Sequence, residues 1–363
     1  MTTNPGFVGA VGAAAPAGEI RQLTGLRAVA ALMVLILHLD QICGNAIAAA
    51  FRPVALGFLG VDIFFVLSGF ILAHVYAVTA TASARDYGIF LWRRFARIYP
   101  LHIAMLAVLF VMVAARGLLD TNFWNLSDLP RHLLLLQAWT HELSWNLPAW
   151  SISAEWAAYV CFPAFIVLIV RPTNILLPLI VAAVTTAAFG VLGISQTGIA
   201  ASFSGTPAAS RIACEFSLGV LGFRIASSMR VSPWADAAAA GAFLSIFLVP
   251  AGLLQIAAIA VVVPAVALSA GLVRRLLASR ICVGLGIISY SIYMVHFPAI
   301  KVMQNVNEKF GWDRLPPAWS AVAVAGWCTV VILIAAAGYF GIERPARVWC
   351  RKRETTLFRL HAV

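Results

Sequence analysis

Residues 26–40 read LRAVAALMVLILHLD. Only Arg27, His38 and Asp40 interrupt an apolar run rich in Ala and Leu, with neither proline nor glycine. Such a run favours helix. Eleven residues at 1.5 Å each put Arg27 and His38 on one side of it, about 16 Å apart along the axis. An ionisable side chain at bilayer depth is expensive, and faces a bundle interior or a water-filled cavity. The alternative for His38 is a packing histidine satisfied by its neighbours.

Outward from this stretch, the chain is apolar throughout. Of its 363 residues 62% are hydrophobic and only 11% charged, and the mean hydropathy is +0.93. A soluble globular core does not need that much apolar surface, so the expected class is an all-α polytopic membrane protein. Spans of about 20 residues are read at 26–46, 56–78, 98–115, 151–170, 174–194, 210–229, 233–250, 252–273, 282–302 and 318–342, about ten transmembrane helices. The expected organisation is a flexible N-terminal tail over 1–20, a membrane domain over 21–345 and a basic cytoplasmic tail over 346–363. The first apolar run is too long, and carries the Arg27/His38 pair, to be a cleaved signal peptide.

The net charge of +11 is explained by topology rather than by nucleic acid, because the arginines cluster at span ends. With the N-terminus inside, ten spans leave only Arg52, Arg116, Arg131, Arg211, Lys301, Lys309 and Arg314 of the 25 basic residues outside. The positive-inside rule then puts both termini in the cytoplasm. Six scattered cysteines show no CxxC or Cys/His spacing, so neither disulfides nor a metal site is expected.

Five further segments carry polar chemistry. GFLGVDIFFVLSGFILAHVY places Asp62 near the outer end of the second span. A buried carboxylate needs a partner, and His38 or Asp40 is within its reach across the loop. Ser68–Gly69 reads as a small-residue packing face. FLWRRFARIYP puts Arg93, Arg94 and Arg97 at the start of the third span, three and four residues apart. Guanidinium groups bind phosphate in bidentate fashion, although positive-inside anchors have the same composition. LPAWSISAEW sets Glu155 one turn into the fourth span among Trp and Tyr, at the level of His38; a histidine and a carboxylate from different helices form a base-plus-orienter arrangement. SYSIYMVH gives Ser289, Tyr293 and His296 one helical face, with Tyr290 beside them, suited to lining a cavity. Glu343 in GIERPARVW reads as paired with an inner arginine.

These pieces, taken in order, resemble the acyltransferase 3 family of integral membrane acyltransferases, which includes bacterial O-acetylases of surface polysaccharides and Nod factor. RQLTGLRAVAALMVLILH, GFLGVDIFFVLSGF, FLWRRFARIYP, LPAWSISAEW, SYSIYMVH and IERP carry the likeness from Arg21 to Pro345. The resemblance implies a ten-helix fold and cytoplasmic acyl-CoA, acetyl-CoA above all, as donor substrate, with no permanently bound cofactor. It implies His38 of an Arg-x10-His motif as catalytic residue, either as base or as acyl carrier. It also implies that Arg94-x-x-Arg97 serves the donor, and Arg93 and Arg27 are expected to help hold the donor phosphates. Asp62 or Glu155 is expected to orient His38, with Ser68, Tyr290, Tyr293 and His296 lining the substrate cavity. Two departures stand out. Thr24 occupies a position where many members carry an acid, and the sequence through Val363 holds no soluble hydrolase-like domain such as many members carry. Transfer to the final acceptor is therefore expected in the membrane domain or through a partner.

The expected function is that of an inner-membrane O-acyltransferase acting on an envelope polysaccharide or lipid-linked sugar. Its partners are acyl-CoA, that acceptor and the lipid bilayer, with a homo-oligomer left open. A transporter or flippase of a lipid-linked sugar is the competing class, and lacks a use for the inner arginines as a phosphate clamp. A scaffold would tolerate apolar residues at His38, Asp62 and Glu155.

Overall fold

The computed structural model describes residues 19–121, 123–140, 143–310 and 316–359. The expected N-terminal tail falls outside these through residue 18, as does Arg314. The described residues are helical, without a strand; the one β-bridge joins Ser232 to Ser269. In chain order the principal helices are α1 (Arg21–Ile42), α2 (Gly60–Tyr76), α3 (Ala84–Ala114), α4 (Ala149–Val160), α5 (Leu176–Phe189) and α6 (Gly205–Ala226). There follow α7 (Trp234–Leu248), α8 (Leu253–Leu268), α9 (Arg280–Ile287), α10 (Ser289–Phe310), α11 (Pro317–Gly338) and α12 (Arg344–Arg359).

Each of the ten apolar runs is occupied by helix. Among the described residues five helices are long and apolar enough to cross a membrane alone. Two more spans result if bent pairs count as one each: α4 with Phe162–Val170, bent by 61°, and α9 with α10, bent by 62°. Helices α7 and α8 are apolar but short, and α6 carries Arg211, Glu215 and Arg224, which lower its hydropathy.

Helix boundaries follow local chemistry. Helix α1 stops where Gly44 and Asn45 take positive φ of 86° and 59°, a left-handed conformation that ends a helix. Asp40 then accepts the N–H groups of Ile47 and Ala48 at 2.9 and 2.8 Å. This commits Asp40 to the turn and removes it as a partner for Asp62. Helix α3 starts at Ser83, whose hydroxyl accepts the Asp86 N–H at 3.1 Å, an N-cap that satisfies an otherwise orphan donor.

Helix α2 lies at the centre, packed between α1 and α6. Phe64 touches all three apolar clusters of the bundle. Close approach is bought by small residues, since lipid offers no hydrophobic drive between helices. A Cβ on Gly60 would lie 2.3 Å from the Ala30 carbonyl oxygen of α1. On the other side of α2, a Cβ on Gly69 would lie 2.3 Å from the Phe216 carbonyl, and one on Gly219 would lie 2.1 Å from that of Val66. Gly69 thus has the packing role expected of it. Gly69→Val and Gly219→Val are each predicted to cost about 1–3 kcal/mol by forcing α2 and α6 apart, read as lowered thermal midpoints of the purified protein.

Candidate active site

Between α2, α3, α4 and α10 lies a cavity of about 230 Å³. Arg27, Arg94 and Arg97 line it together with Ser68, Glu155, Tyr159, Tyr290 and Tyr293, over apolar walls that include Phe64, Phe65, Ile71 and Leu72. Three of the four arginines expected to serve a donor therefore meet in one chamber, and three of the four residues expected to line a cavity, Ser68, Tyr290 and Tyr293, meet them there.

Glu155 is the single carboxylate of the lining. Its Oε1 accepts from the Ser68 hydroxyl at 2.6 Å. The Arg94 guanidinium sits over the rings of Tyr76 and Tyr159, 5.3 and 5.9 Å from their centroids, and donates weakly to the Tyr76 hydroxyl at 3.4 Å. Its Nε is buried without a partner. Tyr290 donates to the Ile98 carbonyl, tying α10 to α3. Tyr293 is held by Ser151 Oγ at 2.9 Å and donates to the Pro148 carbonyl at 3.1 Å. The chamber thus holds three half-buried guanidinium groups against one half-buried carboxylate. Charges buried without compensation cost several kcal/mol each, so the lining is complementary to an anion.

His38 is outside this lining. Its Nδ1 lies 2.8 Å from the Val34 carbonyl. A carbonyl only accepts, so Nδ1 carries the proton and Nε2 presents its lone pair. The His296 ring stands 5.1 Å from that of His38. It repeats the arrangement, with Nδ1 2.6 Å from the Tyr293 carbonyl and a buried, unpartnered Nε2. Two imidazoles, each locked by its own helix, therefore stand side by side, each with Nε2 as its acceptor nitrogen. Tyr293 links this pair to the chamber, because it lines the chamber and its ring is 5.7 Å from His296. Phe64 faces Tyr293 edge-on at 6.0 Å.

Two expectations are corrected. Asp62 does not orient His38: both its oxygens are taken by Arg211 of α6, at 3.0 Å from Nε and 2.7 Å from Nη2. Arg211 is not a residue of an outer loop but is 2% exposed. It also binds Glu215 at 3.3 Å, the carbonyls of Ile199 and Ser202 at 3.0 and 3.4 Å, and the face of Trp150 at 5.3 Å. A guanidinium with five donors is the strongest partner a buried carboxylate can find, so Asp62 turns towards α6. Glu155 does not orient His38 either, because α4 carries it down to Ser68 and the arginine chamber. Sequence spacing missed Arg211 because a cation near a span boundary reads as a loop residue. His296 is in place beside His38 but does not line the chamber. Trp145 is fully buried against Phe110 and Trp124. Glu343 accepts from Ser291 at 2.8 Å and lies 3.5 Å from Arg347, the inner arginine pairing expected of it.

Residues 20–337 match the family described as an acyltransferase domain. The chain belongs to that family. Among relatives of this acyltransferase domain, the chain is 36% identical to Acyltransferase MdmB of Streptomyces mycarofaciens over 40% of its own length and 38% of the relative's. It is 28% identical to YrhL of Bacillus subtilis (strain 168), named provisionally as a peptidoglycan O-acetyltransferase, over 90% of its own length and 54% of the relative's. It is 40% identical to Protein 2 in picA locus of Rhizobium radiobacter over 26% of its length and 48% of the relative's. The matched regions thus span about half or less of these relatives. No solved structure matches the chain.

Replacing Arg211 by Leu strands Asp62 and Glu215 and is predicted to cost about 3–5 kcal/mol of stability. Replacing Asp62, Arg211 and Glu215 together by apolar residues of similar volume recovers much of that loss, measured by thermal unfolding of the purified proteins.

Proposed function

We propose that this protein is an inner-membrane O-acyltransferase that moves an acyl group, most simply acetyl, from cytoplasmic acyl-CoA to a hydroxyl of an envelope polysaccharide or lipid-linked sugar. The observation that carries the reading is the chamber of three guanidinium groups facing one carboxylate. An anionic thioester donor satisfies it. In this reading the ten helical runs are ten crossings and both termini are cytoplasmic, an arrangement supported by the arginine distribution.

The donor phosphates lie against Arg94 and Arg97, with Arg27 deeper in the chamber. The pantetheine arm runs past Ser68 and Tyr290 towards Tyr293 and Phe64. Arg27 and His38 are about 16 Å apart on α1, so the thioester must leave the chamber beside Tyr293 to reach the histidine pair. There Nε2 of His38 takes the proton of the acceptor hydroxyl as its oxygen attacks the thioester carbonyl. The new C–O bond forms, the C–S bond breaks, and the proton leaves with the CoA thiolate. His296 stands beside His38 with its own Nε2 unpartnered and accepts from a second hydroxyl of the acceptor. Asp62 has no role in this step, and Glu155 balances the chamber arginines rather than the imidazole.

The test feeds isotope-labelled acetyl-CoA to inverted membrane vesicles and follows label into base-labile esters. His38→Ala is predicted to lower the rate about 10²–10⁴-fold, as expected for loss of a general base. Arg94→Ala is predicted to raise KM with a smaller effect on kcat. A His38→Ala variant that acylates at the normal rate contradicts the mechanism.

A further inference from the structure

We propose that the nucleotide end of the donor is held between α3 and α12, in a phosphate subsite of Arg93, Arg94, Arg97, Arg347 and Arg351 that Glu354 closes. This rests on the acyl-CoA reading of the chamber and extends it to the C-terminal helix.

Helix α12 is polar on one face but does not hang free. It lies along the first turns of α3, running antiparallel to them. A Cβ on Gly88 would lie 2.9 Å from Phe358 Cε1. The Trp92 indole N–H donates to the Cys350 carbonyl at 3.0 Å. Arg93 donates to both Glu354 oxygens, at 2.9 and 2.7 Å. Between the helices is a small cavity of about 20 Å³, bounded by Tyr76 and by the five arginines and Glu354. Arg94 and Arg97 line both this cavity and the 230 Å³ chamber. The two spaces are therefore consecutive, with these side chains as their common wall.

The charge balance here is one-sided. Glu354 is bound to Arg93, and Glu343 lies 3.5 Å from Arg347. Among the described residues Arg94, Arg97 and Arg351 have no carboxylate at ion-pair distance. Like charges gathered on two packed helices repel one another, and a ligand with several negative charges relieves that repulsion. The 3′-phosphate and diphosphate of coenzyme A offer such charges on one rigid nucleoside, while the pantetheine arm leads onward into the chamber. The two parallel N–H···O bonds from Arg93 to Glu354 are also those a guanidinium makes to phosphate. Glu354 thus holds the position that the donor takes. On donor binding a phosphate replaces the Glu354 carboxylate on Arg93, and α12 shifts to widen the 20 Å³ space while Arg347 and Arg351 close on the ligand.

The experiment measures equilibrium binding of labelled CoA and of 3′-dephospho-CoA to the full chain in nanodiscs of neutral lipid. Glu354→Gln removes the competing charge and is predicted to tighten CoA about three-fold, a gain that misfolding does not produce. Arg351→Ala and Arg347→Ala are each predicted to weaken CoA roughly ten-fold and to shrink its preference over 3′-dephospho-CoA. Wild-type binding with all three variants unchanged overturns the subsite and leaves the chamber reading standing. No binding by the wild type overturns both. Phospholipid headgroups carry the same phosphate chemistry. If the arginines serve them instead, Arg351→Ala lowers retention of anionic lipid in mixed-lipid nanodiscs and leaves CoA binding unchanged, which also overturns the proposal.

Discussion

A guanidinium stays charged at every accessible pH, and inside an apolar bundle it must meet a counter-charge or water. The structure answers that constraint in two ways. Around Arg211 the protein supplies the counter-charge itself, with Asp62 on both oxygens, Glu215 beside it and two backbone carbonyls completing the donors. This cluster is closed and ties α2, α6 and the segment around Ile199–Ser202 into one unit. Around Arg27, Arg94 and Arg97 the protein supplies one carboxylate, Glu155, and leaves a cavity. A closed cluster stabilises; an unbalanced one beside a cavity leaves room for an anion.

The helices are arranged to hold these two clusters at different depths. Helix α2 bears on both, offering Asp62 to the first and Ser68 to the second, little more than one turn and a half apart. It does so because Gly60 and Gly69 let α1 and α6 approach it to backbone contact. The bend between α9 and α10 places Tyr290, Tyr293 and His296 on a single helix that passes the chamber and reaches His38. Tyr293 belongs to both environments, and its aromatic contact with Phe64 stands between the chamber and the histidine pair.

Much of the fold is legible in the sequence because the bilayer dictates span length, and ten apolar runs are ten stretches of helix. The Arg94-x-x-Arg97 spacing identifies one wall of the chamber, since i, i+3 residues share a helix face. What spacing along one helix does not give is the level at which two helices meet. Glu155 looks level with His38 when counted from the outer end of its span, yet its helix brings it to Ser68. Asp62 looks close to His38 across a short loop, whereas its partner Arg211 is 149 residues away. Helix α12 reads as a basic tail by composition. Its packing was signalled only by Cys350, Glu354 and Phe358 at spacings of four, a pattern that the surrounding arginines obscure.

The most direct test of the donor chamber is the protection of a cysteine inside it. Ser68→Cys, in a chain whose six native cysteines are replaced, places a thiol against Glu155 and the arginines. Its rate of modification by a small thiol reagent from the cytoplasmic side is measured with and without acetyl-CoA. The account predicts that saturating acetyl-CoA slows this modification at least several-fold while a cysteine on the outer loop is unaffected. Saturable acetyl-CoA turnover with an unchanged rate at position 68 would contradict it.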